Sequence, residues 1–571
     1  MCRPVAGGHS GTLECVYPSS RVPVAQPTGI RPPVGPVGRR LHIGRRGLLS
    51  GLALLGASAL TGATRPGGSA LRSRAPDCPR RRELRGVWIA SAGNIDWPSR
   101  TGLSAERLRA DFEGHLDRSR ALGLNSVFVQ IRPTADAFWP SPFEPWSQWL
   151  TGTQGQDPGW DPLEFMVRAA HDRGLAFHAW FNPYRVSMQP DPARLAADHP
   201  ARRNPGWMVR YGRGLYYNPG VPAVRRFVQQ AMMDAVVRYD IDGVHFDDYF
   251  YPYPVAGQDF PDGEAFAAHG TGFSDRAAWR RHNVDLLVRE MRDLVRAARP
   301  EAAFGVSPFG VWRNASSDPA GSATRSFQSY DGQYADTRAW IRNGWLDYIA
   351  PQLYWPIGWA EADYRTLAQW WAAQTRGTDT QLWTGQFAAR AGAPGGPAAW
   401  ADPAELSRHL TVDARLPQIG GTILFSATAL WADRIGAVSR LAADHWQHPA
   451  LGPVLPRLAA APAPPPPVAR LTPGALTLTS GPGTPPFQYA VYRRDPVTTP
   501  GPGPLSPPDL GDLIALVPGP TGCLTLPAAS PAVHYAVTAV DRANRESPAT
   551  PVEATAAQGV PSFRGISVPF R

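Results

Sequence analysis

The chain has 571 residues, which is more than one ordinary domain holds and predicts one large domain with an accessory module and tails. Its net charge of +10 arises near the N-terminus, because residues 1–85 hold 14 arginines and 3 acidic residues while the rest of the chain is close to neutral. A nucleic-acid-binding protein concentrates positive charge on its folded domain, so this distribution argues against nucleic acid as a partner.

The N-terminal segment has the form of a twin-arginine export signal. Arg45 and Arg46 precede an apolar run from Leu48 to Leu60, and a small-residue cleavage pattern, Ala57-Ser58-Ala59, stands at the end of the run. The run is too short to hold the protein in a bilayer. We therefore predict a secreted, extracytoplasmic protein without a stable membrane anchor.

From residue 83 onward, short apolar runs alternate with longer amphipathic stretches. Eight runs are predicted strands: Arg85–Ala90, Ser126–Arg132, Ala176–Asn182, Gly243–Tyr249, Ala303–Phe309, Tyr348–Trp355, Gln381–Phe387 and Gly421–Ala427. Eight strands that alternate with helices predict an α/β fold, a closed (β/α)₈ TIM barrel. An open doubly wound sheet is the alternative, but no Gly-rich phosphate turn follows the first strand.

Alternation within the strands predicts which side chains face the barrel interior. In the second strand Val127, Val129 and Ile131 form an apolar face, and the residues between them form the other. That other face becomes polar toward the C-terminal end of each strand, which is the end where barrel enzymes carry their chemistry. In the fourth strand this places Asp247 inside the barrel mouth, while Asp248 begins the following loop.

The stretch Gly243–Pro252 combines two carboxylates with several aromatic rings. A buried carboxylate costs free energy unless it is paired or used, and aromatic rings offer flat apolar faces to sugar rings. The loops after the strands are also rich in Trp and Tyr, which predicts a carbohydrate site with a polysaccharide substrate. The predicted substrate-binding residues are Arg132, Trp180, Asn182, Tyr184, His245, Tyr249, Trp312, Gln352, Tyr354 and Trp355.

Hydrolysis of a glycosidic bond normally needs two carboxyl groups. Asp247 is predicted as the nucleophile or general base, and the alternative is that it pairs with Arg132 or a neighbouring arginine to close the barrel mouth. The role of general acid stays open between Asp248 and Asp136. No cofactor and no metal is predicted.

Two other classes of protein stay open beside a glycoside hydrolase. One is a glycan-binding protein without catalysis, which would use the same aromatic cleft. The other, with less support, is a metal-dependent hydrolase that would use His178, His245 and Asp247, although the paired-histidine spacings of such enzymes are absent. The oligomeric state stays open too.

The C-terminal part is predicted as a separate β-rich module after an Ala/Pro-rich linker. His534–Arg542 with Glu546 and Ser547 resembles the end of a fibronectin type III module, which predicts a small β-sandwich. A Cys78–Cys523 disulfide stays open. The predicted organisation is 1–63 extension and export signal, 64–82 flexible leader, 83–450 barrel, 451–468 linker, 469–560 fibronectin type III-like module and 561–571 tail.

Several motifs resemble the glycosyl-hydrolase-like family 10. They are Glu83–Ile89, Val129–Pro133 with Asp136, Ala179–Arg185, His245–Pro252, Ser307–Gly310 and Ala350–Trp355, in this order over residues 83–445. The resemblance implies a (β/α)₈ barrel and an extracytoplasmic glycosidase, with bacterial cell-wall glycan (peptidoglycan) as its substrate. The C-terminal module would then be accessory.

Overall fold

The computed structural model describes residues 82–472, 474–494, 511–526 and 534–552. The predicted export signal, the leader up to residue 81 and the predicted tail 561–571 lie outside the described residues. Among the described residues, no helix combines the length and the apolarity needed to cross a bilayer.

Eight parallel strands close into a barrel, which confirms the predicted (β/α)₈ architecture. The strands are β1 Leu84–Ile89, β2 Ser126–Arg132, β3 Ala176–Phe181, β4 Gly243–Phe246, β5 Ala303–Val306, β6 Tyr348–Ile349, β7 Gln381–Gln386 and β8 Ile419–Leu424. Each strand pairs with its neighbours in chain order, and β8 closes the barrel against β1 in a register that places Gly421 beside Leu84. The carboxyl ends of all eight strands therefore meet at one rim.

Helices surround the strands. The α-helices are Ala105–Ala121, Gln148–Thr151, Pro162–His171, Pro200–Arg203, Pro222–Arg238, Gly263–His269, Arg276–Ala298, Ser329–Gly332, Thr337–Arg342, Tyr364–Thr375, Glu405–Asp413, Ala427–Ala432 and Ala437–His445. Short 3₁₀ helices are Ala92–Asn94, Pro192–Arg194, Pro205–Trp207, Ala388–Arg390, Ala398–Ala401 and Pro456–Leu458. The side chain of Asp161 caps the helix that begins at Pro162, since its carboxylate accepts from two backbone N–H groups at 3.1 Å.

The predicted alternation of strand faces is confirmed. Val127, Val129 and Ile131 of β2 pack in the core between strands and helices. Phe128 faces the barrel interior, where it belongs to an aromatic cluster with Trp88, Trp180, Tyr348 and Trp383. The interior is so full that a Cβ on Gly305 would lie 2.3 Å from the ring of Tyr348, which explains a glycine inside β5.

Between β3 and β4 the chain forms a small antiparallel sheet at the rim. Its strands are Arg185–Ser187, Met208–Tyr211 and Gly214–Tyr217. The sheet begins four residues after β3 ends and so holds Arg185 next to the barrel mouth.

The C-terminal part forms two antiparallel sheets. One contains Val468–Thr472, Ala475–Thr479 and Thr521–Thr525; the other contains Gln488–Arg494, Asp512–Pro518, His534–Val540 and Thr550–Val552. Both contribute to one apolar cluster, with Leu476 and Leu478 from the first and Tyr489 and Val537 from the second. The likeness to a fibronectin type III module stays a prediction.

This part of the chain lies against the amino-terminal end of the barrel. Leu455 packs against the aromatic cluster of the barrel interior at its amino-terminal end. Arg457, two residues later, donates to Asp347 at 2.7 Å. Arg542 of the β module donates to Asp242, which directly precedes β4, at 2.8 and 2.9 Å. The rim with the polar strand ends is thus at the opposite end of the barrel from the module.

Candidate active site

Asp247 lies at the end of β4 with its side chain in the barrel mouth. One carboxylate oxygen accepts from the indole N–H of Trp180 at 3.1 Å and from the side-chain amide of Asn182. The other oxygen accepts from the backbone N–H of Tyr249 at 3.1 Å. Asp247 is only 6% exposed. Its carboxylate therefore lies inside the barrel mouth, as predicted, and is almost completely desolvated.

Asp248 is the next residue and is held by a different set of groups. Its carboxylate contacts the hydroxyl of Tyr253, and its other oxygen accepts from the Gln352 amide at 3.1 Å. The amide of Gln333 donates to the backbone carbonyl of Asp248 at 2.6 Å and lies 3.4 Å from its carboxylate. Gln352, predicted for this site, thus contacts Asp248.

Burial and the adjacent carboxyl group raise the pKa of Asp247 to about 7. Burial raises the pKa of Asp248 as well. Within the described part of the chain, neither carboxylate forms an ion pair with an arginine. Two buried carboxyl groups this close cannot both ionise easily, so the pair retains one proton near neutral pH.

The two carboxyl groups differ in their hydrogen-bond partners. All three groups that contact the carboxylate of Asp247 are N–H donors, which stabilise its ionised form. The hydroxyl of Tyr253 can either donate to Asp248 or accept from its protonated form. Asp248 is therefore the carboxyl group with a partner, Tyr253, that can accept its proton, while its other oxygen accepts from the Gln352 amide.

Arg132 does not pair with Asp247. Its guanidinium donates to both carboxylate oxygens of Glu144, at 2.6 and 2.5 Å, and to the backbone carbonyl of Asn182. Both side chains of this ion pair are fully buried. The alternative in which Arg132 and Asp247 close the barrel mouth is therefore wrong, because the cation is neutralised by a residue of the loop after β2.

No contact joins Asp136 to Asp247 or to Asp248. It is completely buried below the loop after β2, where the nearest donor to one of its oxygens is Gln154 at 3.4 Å. Its other oxygen has no hydrogen-bond partner among the described residues. Burial raises the pKa of Asp136 to about 7, so a raised pKa alone does not mark a member of the site.

His245 lies one layer below Asp247 in the barrel interior. Its Nε2 accepts from the indole of Trp88 at 3.0 Å, and its Nδ1 lies 3.0 Å from the hydroxyl of Tyr348. That hydroxyl lies 3.3 Å from Nδ1 of His178. Since Trp88 can only donate, the proton of His245 sits on Nδ1, and one chain of hydrogen bonds satisfies all four groups. Burial lowers the pKa of His245 well below its ordinary value, so the ring is neutral.

Of the predicted aromatic residues, three remain partly exposed at the rim. Tyr249 lies under the guanidinium of Arg185 at 5.0 Å, Tyr354 stacks on Phe387 at 4.6 Å, and Trp355 packs edge-on against another ring. These rings offer faces to a ligand.

Two other predicted aromatic residues point elsewhere. Tyr184 is fully buried in the core between strands and helices. Trp312 donates to Asp336 at 3.2 Å and stacks on Trp370. The structure brings neither of them to the pair of aspartates.

Three residues that contact the site were not predicted from the sequence. Arg185 donates to Asn182 at 3.0 Å and lowers the pKa of Asp247 through its charge, against the larger effect of burial. It lies within the motif Ala179–Arg185, so that motif was the available signal. Tyr253 stands in a Tyr/Pro-rich stretch that only indicated a loop, and nothing in the sequence marked Gln333.

No group of three or more His, Cys, Asp or Glu side chains in the described residues is arranged to hold a metal ion. The polar groups around Asp247 and Asp248 are amides, an indole and a phenol, which are not the donor set of a zinc or calcium site.

A closed (β/α)₈ barrel with a desolvated pair of carboxyl groups and aromatic rings at its carboxyl rim is the architecture of a glycoside-hydrolase-like protein. The chain matches the family described as glycosyl hydrolase-like 10 over residues 83–401, and it belongs to that family.

Relatives agree with this assignment. The chain is 48% identical over 380 residues to "Glycosyl hydrolase YngK" of Bacillus subtilis, a match that covers 66% of this chain and 74% of the relative. It is 39% identical over 366 residues to "Glycosyl hydrolase DigH" of Escherichia coli K12, covering 60% of this chain and 82% of the relative. Among solved structures, the PgaB (BpsB) glycoside hydrolase domain from Bordetella bronchiseptica matches with a TM-score of 0.44 at 16% identity, covering 64% of this chain and 99% of that one. Family membership implies a carbohydrate substrate.

Proposed function

We propose that the protein is an exported glycoside hydrolase that cleaves a polysaccharide of the bacterial cell wall. The observation that carries the proposal is the Asp247–Asp248 pair, two adjacent buried carboxyl groups that are held by neutral donors rather than by arginine. Arg185 lies close enough to influence Asp247 without contacting its carboxylate, so the charge of the pair is not neutralised by an ion pair among the described residues.

In this mechanism Asp248 is the general acid. Its proton passes to the glycosidic oxygen as the bond to the anomeric carbon breaks, and the ionised Asp247 stabilises the positive charge that develops on the sugar. We assign no acid role to Asp136, because none of its contacts joins it to Asp247 or Asp248. The rings of Tyr249, Tyr354 and Trp355 would form the walls of the sugar cleft.

The substrate proposal rests on the export signal and on the family. The segment with Arg45 and Arg46 would take the protein across the cytoplasmic membrane, where the glycan strands of peptidoglycan are the abundant polymer. We propose these strands, without their peptides, as the substrate.

The test compares purified wild-type protein with Asp247→Asn on peptide-stripped cell-wall glycan, with released oligosaccharides measured by mass spectrometry. We expect the variant to release products about 10²–10⁴-fold more slowly. Asp285→Asn is the matched control, because Asp285 also accepts from an indole, that of Trp340 at 2.6 Å, but lies in the outer helical layer.

The control variant should cleave like the wild type. If no protein releases products but all sediment with the polymer, the protein binds glycan without cleaving it. Loss of activity in a chelator would instead indicate a metal-dependent hydrolase.

A further inference from the structure

The carboxylates at the barrel rim are unevenly distributed. Within three residues of the carboxyl end of β1, β2, β3, β5, β6, β7 and β8, the sequence contains no Asp or Glu. Only β4 is followed directly by acidic residues, Asp247 and Asp248. Both carboxyl groups therefore come from one side of the barrel.

Other buried carboxylates in the loops above the strands do not contact the pair. Asp136, the fourth residue after β2, is completely buried and has no contact with Asp247 or Asp248. Two more, Glu144 and Asp96, have other partners. Glu144 is neutralised by Arg132 at 2.5 and 2.6 Å. Asp96 accepts from the backbone N–H of Ala90 and of Thr428, both at 2.8 Å, and so ties the loop after β1 to the loop after β8. Neither is available to attack a sugar.

This distribution conflicts with the usual pair of carboxyl groups in glycoside hydrolysis. In that arrangement the two groups flank the scissile bond, so that one protonates the leaving oxygen while the other attacks the anomeric carbon or activates water for the attack. Asp247 and Asp248 are consecutive residues, so their Cα atoms lie about 3.8 Å apart at the end of one strand. Among the described residues, no contact brings a third carboxylate to Asp247 or Asp248.

We infer that the substrate supplies the missing nucleophile through a 2-acetamido group, so that the site takes a polymer of N-acetylated amino sugars. This inference rests on the proposed hydrolase function and specifies its mechanism. The carbonyl oxygen of the acetamido group attacks the anomeric carbon. The bond from that carbon to the leaving oxygen breaks with its electron pair, and the leaving oxygen takes the proton of Asp248.

The product of this step is an oxazoline ring on the substrate, with its N–H proton held by the carboxylate of Asp247. Water then attacks the anomeric carbon and gives a proton to the Asp248 carboxylate. The carbon–oxygen bond of the oxazoline breaks, the amide is restored with its N–H, and both aspartates return to their starting states. The net reaction is hydrolysis with retention of configuration.

Asp247 suits the task of holding an amide N–H. One of its oxygens accepts two bonds, from Trp180 and Asn182, whereas the other accepts only the backbone N–H of Tyr249 among the described residues. A carboxylate oxygen has two lone pairs, so this second oxygen can accept a further N–H. The indole of Trp180, whose edge binds Asp247, supplies an apolar surface for the methyl group of the acetamido group.

The test uses the wild-type protein and one glycan in several chemical forms. Its outcome therefore does not depend on whether a protein variant folds. Peptide-stripped cell-wall glycan is N-deacetylated, and portions are then re-N-acylated with acetyl, fluoroacetyl, difluoroacetyl or trifluoroacetyl groups. Each fluorine withdraws electrons from the carbonyl oxygen and weakens it as a nucleophile. We expect the cleavage rate to fall with each fluorine, to about 100-fold slower for the trifluoroacetyl glycan, because the amide reacts in the transition state. We also expect NMR of the first-formed products to give the configuration of the original bond.

Equal rates across the acyl series, rapid cleavage of the deacetylated glycan, or products of inverted configuration would overturn the inference and leave the hydrolase proposal intact. Cleavage of the re-acetylated glycan is by itself sufficient to establish the hydrolase activity. If that glycan and the untreated glycan both resist cleavage, the hydrolase proposal fails and the inference fails with it.

Discussion

Arg132 and Glu144 form a two-point ion pair in the fully buried wall of the barrel mouth, with N–O distances of 2.6 and 2.5 Å. The pair lies next to the site because Arg132 also donates to the backbone carbonyl of Asn182, whose side chain binds Asp247. Since the guanidinium is neutralised by Glu144, its charge does not hold Asp247 in the ionised state. The raised pKa of Asp247 follows from its burial and from the adjacent Asp248.

We expect Glu144→Gln to destabilise the protein, because it leaves the guanidinium of Arg132 buried without a counter-charge. The expected loss in the free energy of unfolding is about 3–5 kcal/mol, measured by urea denaturation. The matched control is Arg107→Ala, which breaks the solvent-exposed pair with Asp111 and should change stability by less than about 1 kcal/mol. Similar small losses in both variants would show that the buried pair contributes no more than a surface one.

Much of the barrel could be predicted from the sequence, because successive side chains of a strand point to opposite faces. This period of two residues is visible in the sequence even where both faces are buried. The eight strands, their order and the inward position of Asp247 follow from this period. The repeat carries no information about depth along the barrel axis, so it assigned His245 to the site although the ring lies one layer lower, between Trp88 and Tyr348.

The contacts made by loops could not be predicted in the same way. Glu144 lies 12 residues after Arg132 in a segment without regular periodicity, so nothing local indicated their pairing. Tyr184 follows β3 by three residues, where the chain has left the extended geometry, and its side chain enters the outer core. Of the partners of Asp248, Tyr253 comes from the same irregular loop after β4 and Gln333 from the segment after β5.

The pH dependence of activity should have an alkaline limb near pH 7. The folded pair retains a proton because burial and mutual repulsion raise the pKa of Asp247 to about 7 and also raise that of Asp248. As the pH rises through this value the pair loses its proton, and the site loses its acid. We therefore expect kcat/KM to fall about tenfold per pH unit above the limb, as measured on peptide-stripped glycan. A rate that stays constant up to pH 9 would contradict a shared proton.

We expect Asp136→Asn to stabilise the protein at alkaline pH. The pKa of Asp136 is raised to about 7 in the folded state and is near 4 in the unfolded state, so the folded state binds more protons between these values. Its contribution to stability therefore decreases as the pH rises from about 4 to 7, by up to about 4 kcal/mol if the full shift applies. The asparagine cannot ionise and avoids this cost.

The measurement for Asp136→Asn is the melting temperature at pH 5 and at pH 8. The variant should melt above the wild type at pH 8 and close to it at pH 5. Loss of glycan cleavage in a variant that is folded and stable would return Asp136 to the list of candidate acids.

Arg542 should hold the C-terminal β module against the barrel. Its guanidinium donates to Asp242 at 2.8 and 2.9 Å and to the backbone carbonyl of Asp240 at 2.5 Å, both just before β4. We expect Arg542→Ala to leave the carboxylate of Asp242 undercompensated and to increase proteolytic cleavage between the barrel and the module, with a loss of about 2–4 kcal/mol in stability. The control Arg493→Ala removes an exposed contact with Asp512 at 3.6 Å within the module and should leave both properties unchanged. Because the module lies at the end of the barrel opposite Asp247, Arg542→Ala should keep the glycan cleavage rate of the folded protein, and a selective loss of that rate would mean that the module acts on the site.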